Sequence, residues 1–168
     1  MKLFITGIPE SGKSTLTQSL IASYPRKQGF ITREMRDNGD RAGFEIVTAS
    51  GILQTLAHVD IVGPPKVSRY GVDVAGFAAL LPAIEKFSDA DLLYIDEIGQ
   101  MELYADAFAG FVDRYLAAPN LFIGTISKVF ADDNTRRWLR RPDIQLVDID
   151  ALGRDGAKAK ALSILSKS

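Results

Sequence analysis

Apolar positions along the chain come in two rhythms. Short, largely apolar runs, LFIT at residues 3–6, LLYI at 92–95 and LFIGTI at 121–126, have the length and flanks of strands buried on both faces. Between them, apolar residues recur at helical spacing: Leu16, Leu20 and Ile21; Phe77, Leu80, Leu81 and Ile84; Phe108, Phe111, Val112 and Tyr115. Three runs with strand character, residues 29–35, 43–48 and 52–57, are separated by the turn signals Asp37-Asn38-Gly39-Asp40 and Ser50-Gly51, which predicts an antiparallel meander. Residues 62–72 hold two prolines and two glycines and are expected to form a loop. A strand at 145–149 and a final helix containing Ala161, Ile164 and Leu165 complete the pattern. The alternation of strand and helix predicts an α/β fold, a mostly parallel, doubly wound sheet flanked by helices, with the meander beside it.

Composition narrows the chemistry more than the fold. A chain of 168 residues with 46% hydrophobic residues is expected to form one domain, residues 1–168, with its own core. A net charge of −1 argues against a surface made for nucleic acid. There is no cysteine, so thiolate metal sites and cysteine nucleophiles are excluded, and the single histidine, His58, cannot hold a metal alone. No run approaches the ~18 apolar residues of a membrane span, and no signal-peptide core is evident, so a cytoplasmic protein is expected. Oligomeric state stays open, with a monomer as the default.

The strongest chemical signal follows the first strand. GIPESGKST, from Gly7 through Ile8, Pro9, Glu10, Ser11, Gly12, Lys13 and Ser14 to Thr15, satisfies the Walker A pattern. Its glycines let backbone N–H groups turn around phosphates and the following helix adds positive potential; Lys13 can reach the β- and γ-phosphates and the Ser14 hydroxyl a Mg²⁺ ion. Glu10 places a carboxylate in this anion-binding loop. The similar run GxGESGKS of heterotrimeric G-protein alpha subunits makes it compatible with nucleotide binding when it points to solvent or pairs with an arginine, Arg36 or Arg41 being the candidates.

LLYIDEIG, residues 92–99, carries the second signal: a buried strand ending in Asp96, placed as a Walker B acid for Mg²⁺, with Glu97 next to it as candidate general base for an attacking water. DEIG also fits the D-x-x-G of GTPase switches, but no N-K-x-D base-reading motif follows a later strand.

These motifs resemble those of the THEP-type, or cancer-related, nucleoside-triphosphatases. The resemblance runs to about Thr125, with a fainter trace in the tail, and rests on GIPESGKST, GFITREMRDNGDRAGFEIV, RYGVD and above all DEIGQMEL. It implies a RecA-like P-loop domain that hydrolyses several NTPs with Mg²⁺. Carried over residue by residue, it makes Lys13 and Ser14 phosphate and Mg²⁺ ligands, Asp96 the Walker B acid and Glu97 the water-activating acid. Glu102 falls on the acid of the MEL segment, its role left open, and Thr32, Glu34, Arg36 and Arg41 on a wall of the same cleft; Arg36, Arg41 or the cluster at Arg136 to Arg141 is the candidate basic group for stabilising the transition state, and the sequence does not assign which. The chain departs from the family at Glu10, where glycine is usual, and at Gln100, where a basic residue or proline is commoner. GRD at residues 153–155 matches the family's N-R-D segment in part, which points to Arg154 as a base contact.

RRWLRRP, residues 136–142, sets four arginines around Trp138. It reads as an arginine lid closing on a nucleotide, as a stack for single-stranded bases, or as a solvated surface segment with its tryptophan against the core. The expectation is a Mg²⁺-dependent nucleoside triphosphatase cleaving the β–γ bond. Its rivals are a kinase that passes the γ-phosphoryl group to a bound acceptor and a non-enzymatic nucleotide sensor.

Overall fold

The LFIT run forms the centre of β1 (Lys2–Gly7), buried along its length. In a computed structural model, which describes residues 1–167, its side chains alternate between two cores on opposite faces of one sheet. Leu3 and Ile5 pack with Leu16, Leu20 and Ile21 of α1 (Lys13–Ile21) and with Ala157, Ala161 and Ile164 of α6 (Ile149–Leu165). Phe4 faces the larger core, built on α2 (Val74–Ile84) and α4 (Asp106–Ala117), whose Phe77, Phe108, Phe111 and Tyr115 are fully buried.

The remaining strands are β2 (Lys27–Asp37), β3 (Asp40–Thr48), β4 (Leu53–His58), β5 (Lys66–Val67), β6 (Tyr70–Val72), β7 (Leu92–Ile98), β8 (Phe122–Ser127) and β9 (Ile144–Asp148). Two short helices, α3 (Gln100–Leu103) and α5 (Asp133–Leu139), complete the set. The nine strands form one sheet in the order β5-β6-β4-β3-β2-β7-β8-β1-β9.

From β2 to β9 the neighbours are parallel; from β2 to β5 they are antiparallel. The sheet is therefore mixed rather than mostly parallel. The reason lies in β2, whose 11 residues let residues 27–31 pair with β7 while residues 30–37 pair with β3 on the other side. The hairpin thus continues the same sheet. Its turn has positive φ at Asn38 (47°) and Gly39 (90°), the backbone that Asn-Gly supplies most readily.

Residues 62–72 depart from the expected loop. Its second half folds into the small β5–β6 hairpin, which adds to the sheet through β6 and β4. The prolines, Pro64 and Pro65, precede these strands instead of interrupting them, so no ladder hydrogen bond is lost.

Candidate active site

Because β1, β7 and β8 are parallel, their carboxyl ends lie on one edge of the sheet, with Gly7 beside Ser127 and Ile98 beside Ile126. Ligands of α/β sheets bind outside that edge. Here it opens into a cleft of about 490 Å³, within the usual range for a small-molecule site. Its lining includes Pro9, Glu10, Gly12, Lys13, Ser14 and Thr15 from the first loop and helix, together with Glu97 and Arg154. Thr32, Glu34, Arg41 and Phe44 of the β2–β3 hairpin form another wall.

The loop is shaped for anions. Gly12 precedes α1 with φ 106°, a left-handed conformation, and a side chain there would also press on Arg154, whose Nε would lie 3.1 Å from the added carbon. No side chain caps α1, which leaves its first-turn amides for a ligand. Lys13 is buried, and its Nζ donates to the carbonyl oxygens of Gly7 (3.1 Å) and Ile8 (3.0 Å), holding the ammonium over the loop. Ser11 N–H closes the turn on Ile8 O at 3.3 Å.

Asp96 is fully buried at the end of β7. Its Oδ1 accepts from Ser14 Oγ (3.0 Å) and Thr125 Oγ1 (2.7 Å), while Oδ2 is buried with no hydrogen-bond partner. Burial pushes its pKa up, opposed by the Thr125 and Ser14 hydroxyls, by the Gln18 side chain and by the Lys13 charge. An unsatisfied buried carboxylate oxygen next to a serine hydroxyl could contribute to holding a hard cation whose other ligands come from phosphate and water. No group of three or more acidic, histidine or cysteine side chains suited to a metal occurs among the described residues, so a cation here would depend on those additional oxygens.

Glu97 lines the cleft itself. The ladder between β7 and β8 is irregular between Ile95 and Ile98, which frees these two acids from strict alternation. Glu97 N–H donates to Thr32 Oγ1 at 3.3 Å, fixing the backbone that carries the carboxylate. Burial raises the Glu97 pKa, Lys13 counteracts and Asp96 adds to the rise.

The chain belongs to the nucleoside-triphosphatase family. The family described as NTPase matches residues 2–162, extending past Thr125 into the tail. The nucleoside-triphosphatase THEP1 of Thermotoga sp. (strain RQ2) is 33% identical over 167 residues, covering 98% of this chain and 95% of that protein. The human cancer-related nucleoside-triphosphatase is 35% identical over 140 residues, 74% of each chain. Among solved structures, THEP1 from Aquifex aeolicus superimposes with a TM-score of 0.86 at 30% identity, covering 98% of this chain and 99% of its own.

Other positions singled out in the sequence fall at varying distances from this cleft. Arg41 reaches it and pairs with Glu34 and, at 3.3 Å, with Glu10. Arg36 does not line it, because its guanidinium is drawn to Gly39 O (2.9 Å) and Glu34 (2.7 Å) along the hairpin. Glu102 is also outside the lining: it is buried, with Oε2 accepting from Gly99 N–H at 3.1 Å at the start of α3. Arg154 folds onto the loop and donates from Nε to Ser11 O at 3.1 Å.

Trp138 and two arginines of the cluster, Arg137 and Arg141, are engaged in structure, while Arg136 and Arg140 are exposed. Trp138 is fully buried, with its indole N–H donating to Asp113 Oδ1 at 2.7 Å; Arg137 grips both Asp113 oxygens, and Arg141 pairs with Asp143. An indole packed in the core has no face left for a base. Two contributors carried no motif. Thr125 stands out in its strand only as a polar residue in an apolar run. Asp150 accepts from Ile8 N–H (3.0 Å) and Lys128 Nζ (3.1 Å), tying α6 to the loop.

Proposed function

We propose that this protein hydrolyses the β–γ bond of nucleoside triphosphates, releasing the diphosphate and inorganic phosphate, with Mg²⁺ and with little discrimination among bases. The observation that carries the reading is Glu97, a carboxylate raised in pKa by burial and held at the rim of a cleft whose floor is the Gly7–Thr15 loop. A group whose pKa is shifted toward neutrality is suited to accept a proton from water.

Mg²⁺ would be held by Ser14 and Asp96, where the unpartnered Asp96 Oδ2 supports the assignment. When bound, it supplies charge neutralisation on the phosphate oxygens. The loop amides and Lys13 bind the β- and γ-phosphates; Lys13 exchanges its hydrogen bonds to Gly7 O and Ile8 O for phosphate oxygens. Glu97, oriented through Thr32, takes a proton from water as the water oxygen approaches phosphorus opposite the bridging oxygen. Arg154 and the first turn of α1 border the side of the cleft that continues toward α6, which suits the sugar and base. In this reading the domain is a RecA-like P-loop unit with a hairpin extension, and it acts in the cytoplasm as a monomer. No helix among the described residues is long and apolar enough to cross a membrane.

The fate of a labelled γ-phosphoryl group tests the reading. Label appearing as inorganic phosphate from ATP, GTP, CTP and UTP, with or without added nucleoside monophosphates or small alcohols, is the expected result. Label transferred to an acceptor would overturn hydrolysis in favour of a kinase, and tight binding with no release would favour a sensor.

A further inference from the structure

The cleft contains more cationic side chains than the phosphate loop needs, and one of them is held in a way that tells its use. Lys13 serves the loop carbonyls. Arg154 sits on the loop's outer side and also borders the groove between α1 and α6. Arg41 stands apart from both. It is the second residue of β3, on the hairpin wall, the same wall whose Thr32 hydroxyl holds Glu97 N–H. Glu34 lies two residues beyond Thr32 on β2, hence on the same sheet face, and it is the carboxylate that grips Arg41. Glu97, Thr32, Glu34 and Arg41 therefore form one side of the cleft, facing the loop that carries Lys13 and Ser14.

We propose that Arg41 is a catalytic residue of this site, an arginine supplied within the chain that neutralises charge on the γ-phosphoryl oxygens in the transition state, and that Glu34 and Glu10 hold it at the cleft rim beforehand. The inference rests on the hydrolytic reading above. Its backbone is fixed by Arg69, which donates from Nη2 to Arg41 O at 2.5 Å, and the guanidinium lies over the Phe44 ring, 5.7 Å from the centroid. Its Nε is buried without a hydrogen-bond partner, a donor left over by Glu34 and Glu10. The main chain is thus anchored by a hydrogen bond, and the tip is held by ion pairs to Glu34 and Glu10. Ion pairs at a partly exposed rim contribute little net energy, so a triphosphate of several negative charges outcompetes them. Glu10 is 82% exposed, at a position of φ 64°. Its carboxylate points across the loop mouth at Arg41 instead of into the phosphate cradle, at 3.3 Å, which accommodates an acid in an anion-binding loop.

The chemistry balances without a proton from Arg41. The water oxygen bonds to the γ-phosphorus, the bond from phosphorus to the bridging oxygen breaks with its electron pair leaving on the diphosphate, and a water proton passes to Glu97. Arg41 contributes hydrogen bonds and charge where negative charge accumulates, the function of an arginine finger.

The test compares the full-length chain with Arg41→Ala and Arg41→Lys, measuring kcat and KM for ATP with Mg²⁺, binding of ADP, and binding of ADP with aluminium fluoride as a transition-state mimic. Arg41→Ala is expected to lower kcat by about 10³-fold, the range of such arginines. ADP binding should stay within about threefold, since the contact is made to the transition state and not to the diphosphate. The gain in affinity that aluminium fluoride gives the wild type should disappear. Arg41→Lys should restore charge but little rate, lacking the planar fork. A thermal melt close to wild type confirms folding for these rim variants. Full kcat in Arg41→Ala, or a loss matched by an equal loss of ADP binding, overturns the inference while leaving hydrolysis standing. A wild type that releases no phosphate overturns the hydrolytic reading and this inference together.

Discussion

Glu102 of α3 is buried, and its burial raises the carboxyl pKa from 4.5 to about 8, with the charges of Glu97 and Asp96 adding to the rise. The folded protein therefore binds a proton there that the unfolded chain releases above about pH 4.5. This contribution to stability is fully present below pH 4.5 and is lost progressively as pH rises to about 8. Glu102→Gln keeps an oxygen for Gly99 N–H and removes the titration. Denaturant unfolding across this range should show a smaller decline in stability with pH for the variant, which should exceed the wild type above pH 8; parallel curves would contradict the assignment. The sequence marks Glu102 as an acid near the site but gives no sign of its burial, because that depends on the packing of α3. Thr125 shows only as a polar residue in an apolar run, because its bond to Asp96 spans neighbouring strands whose pairing is nonlocal.

Among the elements, the ones read most directly were those whose pattern is local. LFIT, LLYI and LFIGTI supply central strands because apolar residues alternate into two cores, and Asn38-Gly39 makes the hairpin turn its backbone prefers. The extent of the sheet was not legible, because β5 and β6 are only two and three residues long and gain their strand character from β4. The α5 segment was ambiguous in a different way, since arginines around a tryptophan fit a lid as well as a buttress. Its partner Asp113, on α4, decides the matter from a distance of 25 residues. Replacing Asp113 by Ala leaves a buried indole N–H unpaired, a loss of about 1–3 kcal/mol, equivalent to a melting temperature lower by several degrees. The rate of phosphate release should be unchanged, since neither Asp113 nor Trp138 lines the cleft. A rate that falls with the melting temperature unaltered would restore the lid.

Across the whole molecule, the site depends on segments far apart in sequence: the loop after β1, the acids after β7, the hairpin wall, and α6, which reaches the loop through Asp150 to Ile8, 142 residues away. The loop and the acid pair were legible because each motif is contiguous; the wall and Arg154 of α6 were expected only through the family resemblance, and the Asp150 tie not at all. What joins these parts into one hydrolytic site is tested most directly by a single-turnover measurement of phosphate release from ATP with Mg²⁺, alongside ATP binding, for the wild type, Glu97→Gln and Lys13→Ala. Glu97→Gln should bind ATP about as tightly as the wild type and release phosphate about 10²–10⁴-fold more slowly, the range for removing a general base. Lys13→Ala should lose binding and release together. Wild-type rates of release from Glu97→Gln at saturating ATP would contradict the assignment of Glu97 as the base and separate the acid pair from the chemistry of the loop.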